Sequence, residues 1–596
     1  MLLMVNITRR QKQTPEGLNS RGKIVKKLSW GCIGLALLCK LSSVWAVEYV
    51  TPQPLAEALK KQAAVASVKS GSVELPIISW GADIATIYAN GSGASTSAGS
   101  LFAQAGLDFK LVREDVFARQ VEKYLSGKTP YLRGTMGMIN MAGDLLASDP
   151  RTRPIVIAKL SDSAGGDALV VKEGIRTIAD LRGKTIVLQA YGPHLDYLNR
   201  LLDDAKLTLA DVKVRWVRDL TGTANSPAEA FRQRDVDATF VITPDALALT
   251  SNGSVGTGAE DSVRGARVLV STKTANKVIV DVYAVRADYL EQNRSKVEAF
   301  VGVLLKAQEQ VATLFNNRTQ QKADYQKLIK ASAKQLLDSE QATADAEGMY
   351  ADAALALFNG NKTFFTSTTD LRRFDVIATE SLAGIKQFGL ATGRETLRSQ
   401  AWDYARLQTQ IGAVKAAETT HFDEKAATAT VNRLQQQGAL QAGELYSFEV
   451  YFAPNQNAFT ADMYKDAFDR VIELAATYGG ALITVEGHSD PMEYLRRRKA
   501  NESALVLGQI KQSARNLSLS RSQGVRDAIL QYGKAKGFVL DASQFVTVGH
   551  GIAMPKTGIC GDEPCAPKNE AEWRSNMRVV FRIVQVEAES DVFKPL

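Results

Sequence analysis

Residues 166–188 read GDALVVKEGIRTIADLRGKTIVL, and this stretch decides the fold. Two apolar runs, Ala168–Lys172 and Lys184–Gln189, read as strands. The pattern continues downstream. Tyr191-Gly192-Pro193 is a turn, HLDYLNRLLDDAKL (194–207) an amphipathic helix and Val212–Val217 a strand. Ser226-Pro227-Ala228-Glu229 is a capping box with proline at the first helical position; the helix it opens leads to the strand Val236–Ile242. Upstream, Pro76–Trp80 is an apolar strand within the run ending SWGAD (79–83). Strands separated by such helices predict an α/β protein with parallel sheets covered on both faces. In such sheets ligands sit beyond the carboxyl ends of strands, where helix N-termini also point.

The chain has 596 residues, 45% apolar and 23% charged, which excludes a disordered or polytopic membrane chain. Its net charge of +8 is local: residues 1–46 carry +7, and residues 47–596 carry +1. No nucleic-acid partner is therefore expected. Residues 1–46 combine a basic region, an apolar core from Leu28 to Cys39 and a small-x-small exit at Ala46. They read as a secretory signal, with an uncleaved inner-membrane anchor as the alternative. Neither Cys32 nor Cys39 has a good lipoprotein context. After removal of the signal, Cys560 and Cys565 remain and favour a local disulfide, with reduced thiols as the alternative. His194, His421, His488 and His550 lie far apart without ligand spacing, so no metal and no cofactor is expected. Residues 47–72 are a polar lead-in, 73–413 the alternating region, 414–444 a linker with few large apolar groups, 445–588 a second α/β pattern and 589–596 a tail. Residues 316–357 read as solvated helices.

The order GDALVVKEGIRTIADLRGKTIVL, YGPHLDYLNRLLDDAKLTLADVKVRWV (191–217), SPAEAFRQRDVDATFVITPDA (226–246) resembles the solute-binding proteins of ABC importers, in the sulfonate, nitrate and thiamine-precursor branch. The resemblance spans about residues 75–400. It implies a type II periplasmic-binding-protein fold: lobe one at about 73–165 and 275–413, lobe two at about 166–274, closing on a small molecule. The cleft candidates are Trp80 and Asp83, a ring and a carboxylate after the first strand, and Thr135 in LRGTMGMIN (132–140). Tyr191, Gly192 and His194 stand at a helix N-terminus, and Asp245 follows the strand Val236–Ile242. Pro193 replaces a donor where that family often has a small hydroxyl residue, which argues against direct sulfonate capture there.

In the second pattern Phe448, Val450 and Phe452 alternate on a strand, and Tyr464, Phe468, Val471, Ile472 and Ala475 form one helical stripe that Gly479-Gly480 ends. The pieces F-x-P-N, VEGHSD (485–490), LSLSRSQGV (517–525), VGHG (548–551) and N-x-RV (576–579) together resemble the OmpA C-terminal domain, a peptidoglycan-binding α+β sandwich. That family pairs an aspartate with the amine and an arginine with the carboxylate of the stem-peptide diamino acid. The matching residues are Asp490 and Arg521, with Ser489 and Ser518 as further donors, Ser518 chiefly as a helix cap, and Asn576 and Arg578 in support. The resemblance also favours a Cys560–Cys565 bond, since some such domains carry a disulfide-closed loop there. Two departures are Pro491 after Asp490 and an insert at about 491–515, read as helix with a basic patch at Arg496–Lys499. The patch is either a solvated face or a contact for cell-wall phosphates or anionic headgroups. The insert is also positioned to move Asp490 away from Arg521.

Together these readings predict a periplasmic, cell-wall-associated solute-binding protein. Its partners would be the peptidoglycan stem peptide, a small molecule and an ABC permease or membrane sensor. The alternative is an envelope-organising scaffold whose first module docks protein. No nucleophile elbow, zincin, Walker A or Rossmann glycine signature is present, so an enzyme is not expected.

Overall fold

The computed structural model describes residues 47–59, 65–69, 71, 73–259, 261–393, 395–412, 422–438, 440, 444–452, 461–561 and 563–585. The expected signal segment 1–46, His421, most of the FAPNQNAFT run (452–460) and the tail lie outside the described residues.

Lobe one is built on a sheet ordered Ala353–Leu355, Pro154–Ser163, Val280–Arg286, Tyr131–Thr135, with Arg398–Ser399 also on Pro154–Ser163 and a parallel pair Val73–Ile77/Phe109–Arg113 beside it. Lobe two has six strands in the order Tyr49–Val50, Lys213–Val217, Thr185–Gln189, Ala238–Ile242, Asp167–Val171, Arg267–Ser271. The lead-in therefore supplies lobe two's edge strand.

The sheets are mixed, not parallel. Thr185–Gln189 runs parallel to both of its neighbours, as the βα alternation requires. Asp167–Val171 runs antiparallel to Ala238–Ile242 and to Arg267–Ser271. The reason is the two-lobe connectivity. Pro154–Ser163 leaves lobe one and enters lobe two as Asp167–Val171; Arg267–Ser271 returns and becomes Val280–Arg286. Crossover strands traverse both sheets in opposite directions.

The main sheet of the C-terminal module is four-stranded, in the order Glu444–Tyr451, Arg578–Gln585, Ala481–His488, Phe545–Gly551, with a parallel final pair. Phe468, Val471, Ile472 and Ala475 of the helix Ala461–Thr477 are buried with Val525 and Ile529 of the helix Ala504–Ala535 and with Ile483, Phe581 and Ile583 of the sheet. Each large apolar side chain so buried contributes about 1.5–3 kcal/mol. The segment read as linker is more than a linker. Its helix Glu424–Gln436, capped by Asp423, buries Ala427 and Val431 with Leu482, Val546 and Val548 of the sheet.

Gly479 and Gly480 serve a purpose other than ending a helix, since both have negative φ. A Cβ on Gly480 would lie 1.7 Å from the Lys273 carbonyl oxygen, and one on Gly479 2.7 Å from Asn276 Oδ1. The pair lets the C-terminal module sit on the chain that returns from lobe two to lobe one. Among the described residues no helix is long and apolar enough to cross a membrane.

Candidate functional site

At the junction of the lobes, polar side chains form two chains of contacts. In the first, Trp80 Nε1 donates to Ser161 Oγ at 3.0 Å, and Ser161 Oγ reaches Asp281 at 3.4 Å. Arg133 joins Asp281 (2.6 Å) to Asp83 (2.8 Å). Asp83 and Arg133 are fully buried. Burial pushes the Asp83 carboxyl up to about 7 against the pull of Arg133. Asp83 is thus the partner of a buried guanidinium and not a free carboxylate in a cleft. The Trp80 ring lies on Gly166, where a Cβ would stand 2.4 Å from the indole.

In the second chain, His194 Nε2 meets Asp167 Oδ1 at 2.8 Å, and Asp167 Oδ2 accepts from Ser163 at 2.7 Å. Ser163 contacts Thr272 at 2.9 Å. Thr272 Oγ1 accepts the N–H groups of Gly165 (3.0 Å) and Asp167 (3.1 Å). Ser163, Asp167 and Thr272 lie at the two crossovers, so this network ties the hinge strands to the N-terminus of the helix His194–Asp204.

The other cleft candidates are placed differently. Thr135 is the N-cap of the helix Met136–Leu146, accepting from the Met138 N–H at 3.2 Å. The first turn of that helix also receives a carboxylate from lobe two. Asp196 accepts from the Gly137 N–H and, at 2.8 Å, from the Ser381 hydroxyl. Burial raises Asp196 to about 6, with those two bonds opposing. Tyr191 turns away from the junction: its hydroxyl donates to the Gln53 carbonyl (2.7 Å) and accepts the Gln53 N–H (2.9 Å), pinning the lead-in. Gly192 packs on Gln189, whose Oε1 would lie 2.3 Å from a Cβ. Asp245 is half-buried near Glu229 and Arg232, with Oδ2 unpartnered and its carboxyl raised chiefly by burial. Sequence reasoning missed Arg133, Ser161, Asp167, Asp196 and Asp281. A signal existed for two of them, since Arg133 and Asp281 interrupt the apolar strands YLRGT and VDVYAV.

In the C-terminal module the ends of the parallel strands meet the long helix. The Ser489 N–H donates to the Gly551 carbonyl at 2.8 Å, and the Gly551 N–H donates to Ser518 Oγ at 2.9 Å. Ser518 is not a cap. The insert continues the helix back to Ala504, where Ser503 caps it, so Ser518 lies mid-helix and its hydroxyl donates to the Arg515 carbonyl at 2.9 Å. The first part of the insert is the helix Met492–Lys499, and Asp490 Oδ1 accepts its Met492 N–H at 2.9 Å. Ser489 Oγ donates to the Ala514 carbonyl at 3.4 Å.

The insert leaves Asp490 and Arg521 within one electrostatic neighbourhood. Arg521 is half-buried, and its pKa is lowered by burial and supported by Asp490. Among the described residues it has no ion pair within 4.0 Å, and its Nε has no partner. Asn576 supports the fold: its side chain takes the Lys556 and Thr557 N–H groups (2.7 and 3.1 Å) and donates to the Thr557 carbonyl (3.1 Å). Arg578 pairs with Glu449 at 3.1 Å and donates to the Met554 carbonyl at 3.3 Å. Cys560 and Cys565 are joined in a disulfide, and Glu563 within that loop accepts from Tyr494 (2.8 Å) and Lys511 (2.9 Å) of the insert.

Residues 97–313 match the family model described as NMT1/THI5 like. That span runs through lobe two and part of lobe one. Solved structures similar to the chain include the periplasmic aliphatic sulphonate binding protein SsuA from Escherichia coli, at 16% identity and TM-score 0.38, covering 60% of this chain and 96% of that one. The periplasmic nitrate-binding protein NrtA from Synechocystis PCC 6803 matches at 11% and 0.31, covering 59% and 100%. The desulfurization enzyme DSZB matches at 16% and 0.34, covering 56% and 96%. No curated protein matches the chain.

Proposed function

We propose that this chain is a periplasmic small-molecule-binding protein held non-covalently to peptidoglycan by residues 445–588. The observation that carries the anchoring half is the disposition of Asp490 and Arg521. A stem-peptide diamino acid offers an ammonium and a carboxylate. It calls for one acidic group and one guanidinium fork close together but not cancelled in a mutual ion pair. Among the described residues Arg521 is in no ion pair, although Asp490 acts on it, and that fits the requirement. The solute-binding half is supported by the family match and the two-lobed topology. Ligand entry needs the lobes to part, because Trp80 on Gly166 and Asp196 on Gly137 hold them together. A permease or membrane sensor is the natural recipient. No catalytic role is proposed.

One observation favours a scaffold instead. The N-terminus of the 136–146 helix, a ready anion site, is filled by Asp196 of the same chain.

The test is retention of the full chain on diaminopimelate-type peptidoglycan. The full chain is needed because buried contacts join the C-terminal module to lobe two. Retention lost in both Asp490→Ala and Arg521→Ala supports anchoring; no retention of wild type, or full retention in both variants, overturns it. Mass spectrometry of the denatured protein then tests the first module. A small molecule retained by wild type and lost in Trp80→Ala supports solute binding, and none in wild type puts the scaffold first.

A further inference from the structure

On the face of the C-terminal sheet covered by the 424–436 helix, two histidines distant in sequence meet a buried glutamate. The strands Ala481–His488 and Phe545–Gly551 each carry a Gly-His pair at or next to their ends, and they run parallel with Glu486 opposite Val548 and Gly487 opposite Gly549. The register then shifts, so that His488 faces Gly551. Such a bulge re-aims a side chain, and here the imidazoles of His488 and His550 stack at 4.7 Å with 17° between planes. Glu486, His488 and His550 are each under 10% exposed, and one donor atom from each lies within 4.8 Å of the others.

The hydrogen bonding is lopsided. Glu486 Oε1 is held by Arg582 (2.8 Å) and Thr484 (2.6 Å), while Oε2 accepts from His550 Nε2 at 3.0 Å and more distantly from Arg582 at 3.4 Å. Gln435 approaches His550 Nδ1 at 3.4 Å, which leaves Nε2 aimed at the carboxylate. Neither ring nitrogen of His488 makes a hydrogen bond of good geometry, although the Met554 backbone acts on the ring. A buried polar group without partners costs about 1–3 kcal/mol, and an ion is one of the few things that remove that cost.

We propose that Glu486 Oε2 and one ring nitrogen each of His488 and His550 form a binding site for a late first-row divalent cation such as zinc. Arg582 orients the carboxylate from behind, as outer-shell partners do. Two imidazoles and one carboxylate suit late first-row cations that bond to imidazole better than hard cations that prefer all-oxygen ligands. Three protein ligands leave a fourth position open.

The test uses the full chain stripped with EDTA, titrated calorimetrically with Zn2+ and spectroscopically with Co2+ as its visible substitute. The expected result is one saturable equivalent, a ligand-field band of four- or five-coordinate intensity, and affinity weaker by at least about 10-fold in His488→Gln and in His550→Gln. Circular dichroism checks that both variants fold. The wild-type titration stands whatever the variants do, and absence of a saturable equivalent overturns the site. So does unchanged affinity in the double variant, loss of binding in His194→Gln instead, or equal displacement by Mg2+.

Discussion

The phenol of Tyr478, in the C-terminal module, donates to the carboxylate of Asp204, in lobe two, at 2.6 Å, and both side chains are buried. Arg470 of the module and Arg200 of lobe two bind the same carboxylate at 2.9 and 2.6 Å, and Arg200 reaches back to Glu473 at 2.7 Å. One aspartate thus joins two regions that their sequence patterns present as separate domains.

Replacing Asp204 by Ala removes the buried partner that Arg200 and Arg470 share and leaves them the half-exposed Glu473. Breaking such a pair costs about 3–5 kcal/mol. Denaturant unfolding of the variant is expected to split into two transitions, one per region. A single transition at the wild-type midpoint would show that the interface adds nothing.

Asp196 gives a signed pH dependence. Its folded-state pKa is raised, to about 6, from an ordinary value of 3.8. Protonation therefore favours the folded state: this contribution is fully present below about pH 4 and is lost as pH rises through about 6, an effect on the order of 1–3 kcal/mol. Asp196→Asn is expected to flatten the stability profile between pH 4 and 6. An unchanged slope would assign the dependence to other groups, Asp83 among them.

Glu563 holds the insert to the disulfide loop through Tyr494 and Lys511. The ion pair is partly exposed, so Glu563→Gln is expected to cost no more than about 1 kcal/mol globally. Locally the 492–499 helix loosens, and trypsin cleavage at Arg496–Lys499 accelerates. Equal cleavage rates in wild type and variant would rule out this tether.

Arg521 and Asn576 are expected to separate anchoring from stability. Arg521 is half-buried with an unpartnered Nε, so Arg521→Met keeps or raises Tm while wall retention falls. Asn576 is buried and makes three hydrogen bonds to the 556–557 backbone, so Asn576→Ala lowers stability by about 1–3 kcal/mol. The folded fraction of that variant should still bind wall. The opposite pairing of effects would exchange their roles.

The βα segments of lobe two were legible because each strand is an apolar run bounded by punctuating residues. Ser226 does accept the Glu229 N–H, at 3.4 Å, at the start of the helix Pro227–Phe231. The mixed strand directions were not legible, because nothing local in Ala168–Lys172 says that its chain has just crossed from another sheet. The cap assigned to Ser518 failed for a related reason. A serine before an apolar run looks the same whether or not residues 504–517 continue the helix behind it. Trp80, Asp83 and Thr135 were located near the junction, but the partners of Trp80 and Asp83, namely Ser161, Gly166 and Arg133, come from distant segments of the chain.

Periodicity is local: it tells which runs form strands, which helices carry one apolar face, and where proline and serine start a turn of helix. These follow from interactions within a few residues. Only the tertiary structure decided what the charged and polar side chains do. It set Asp83 against Arg133, Asp196 into a helix N-terminus and His488 beside His550. Those assignments depend on which strands become neighbours and on how much water folding removes. Burial changes the cost of a charge by several kcal/mol, and no spacing along the chain encodes burial.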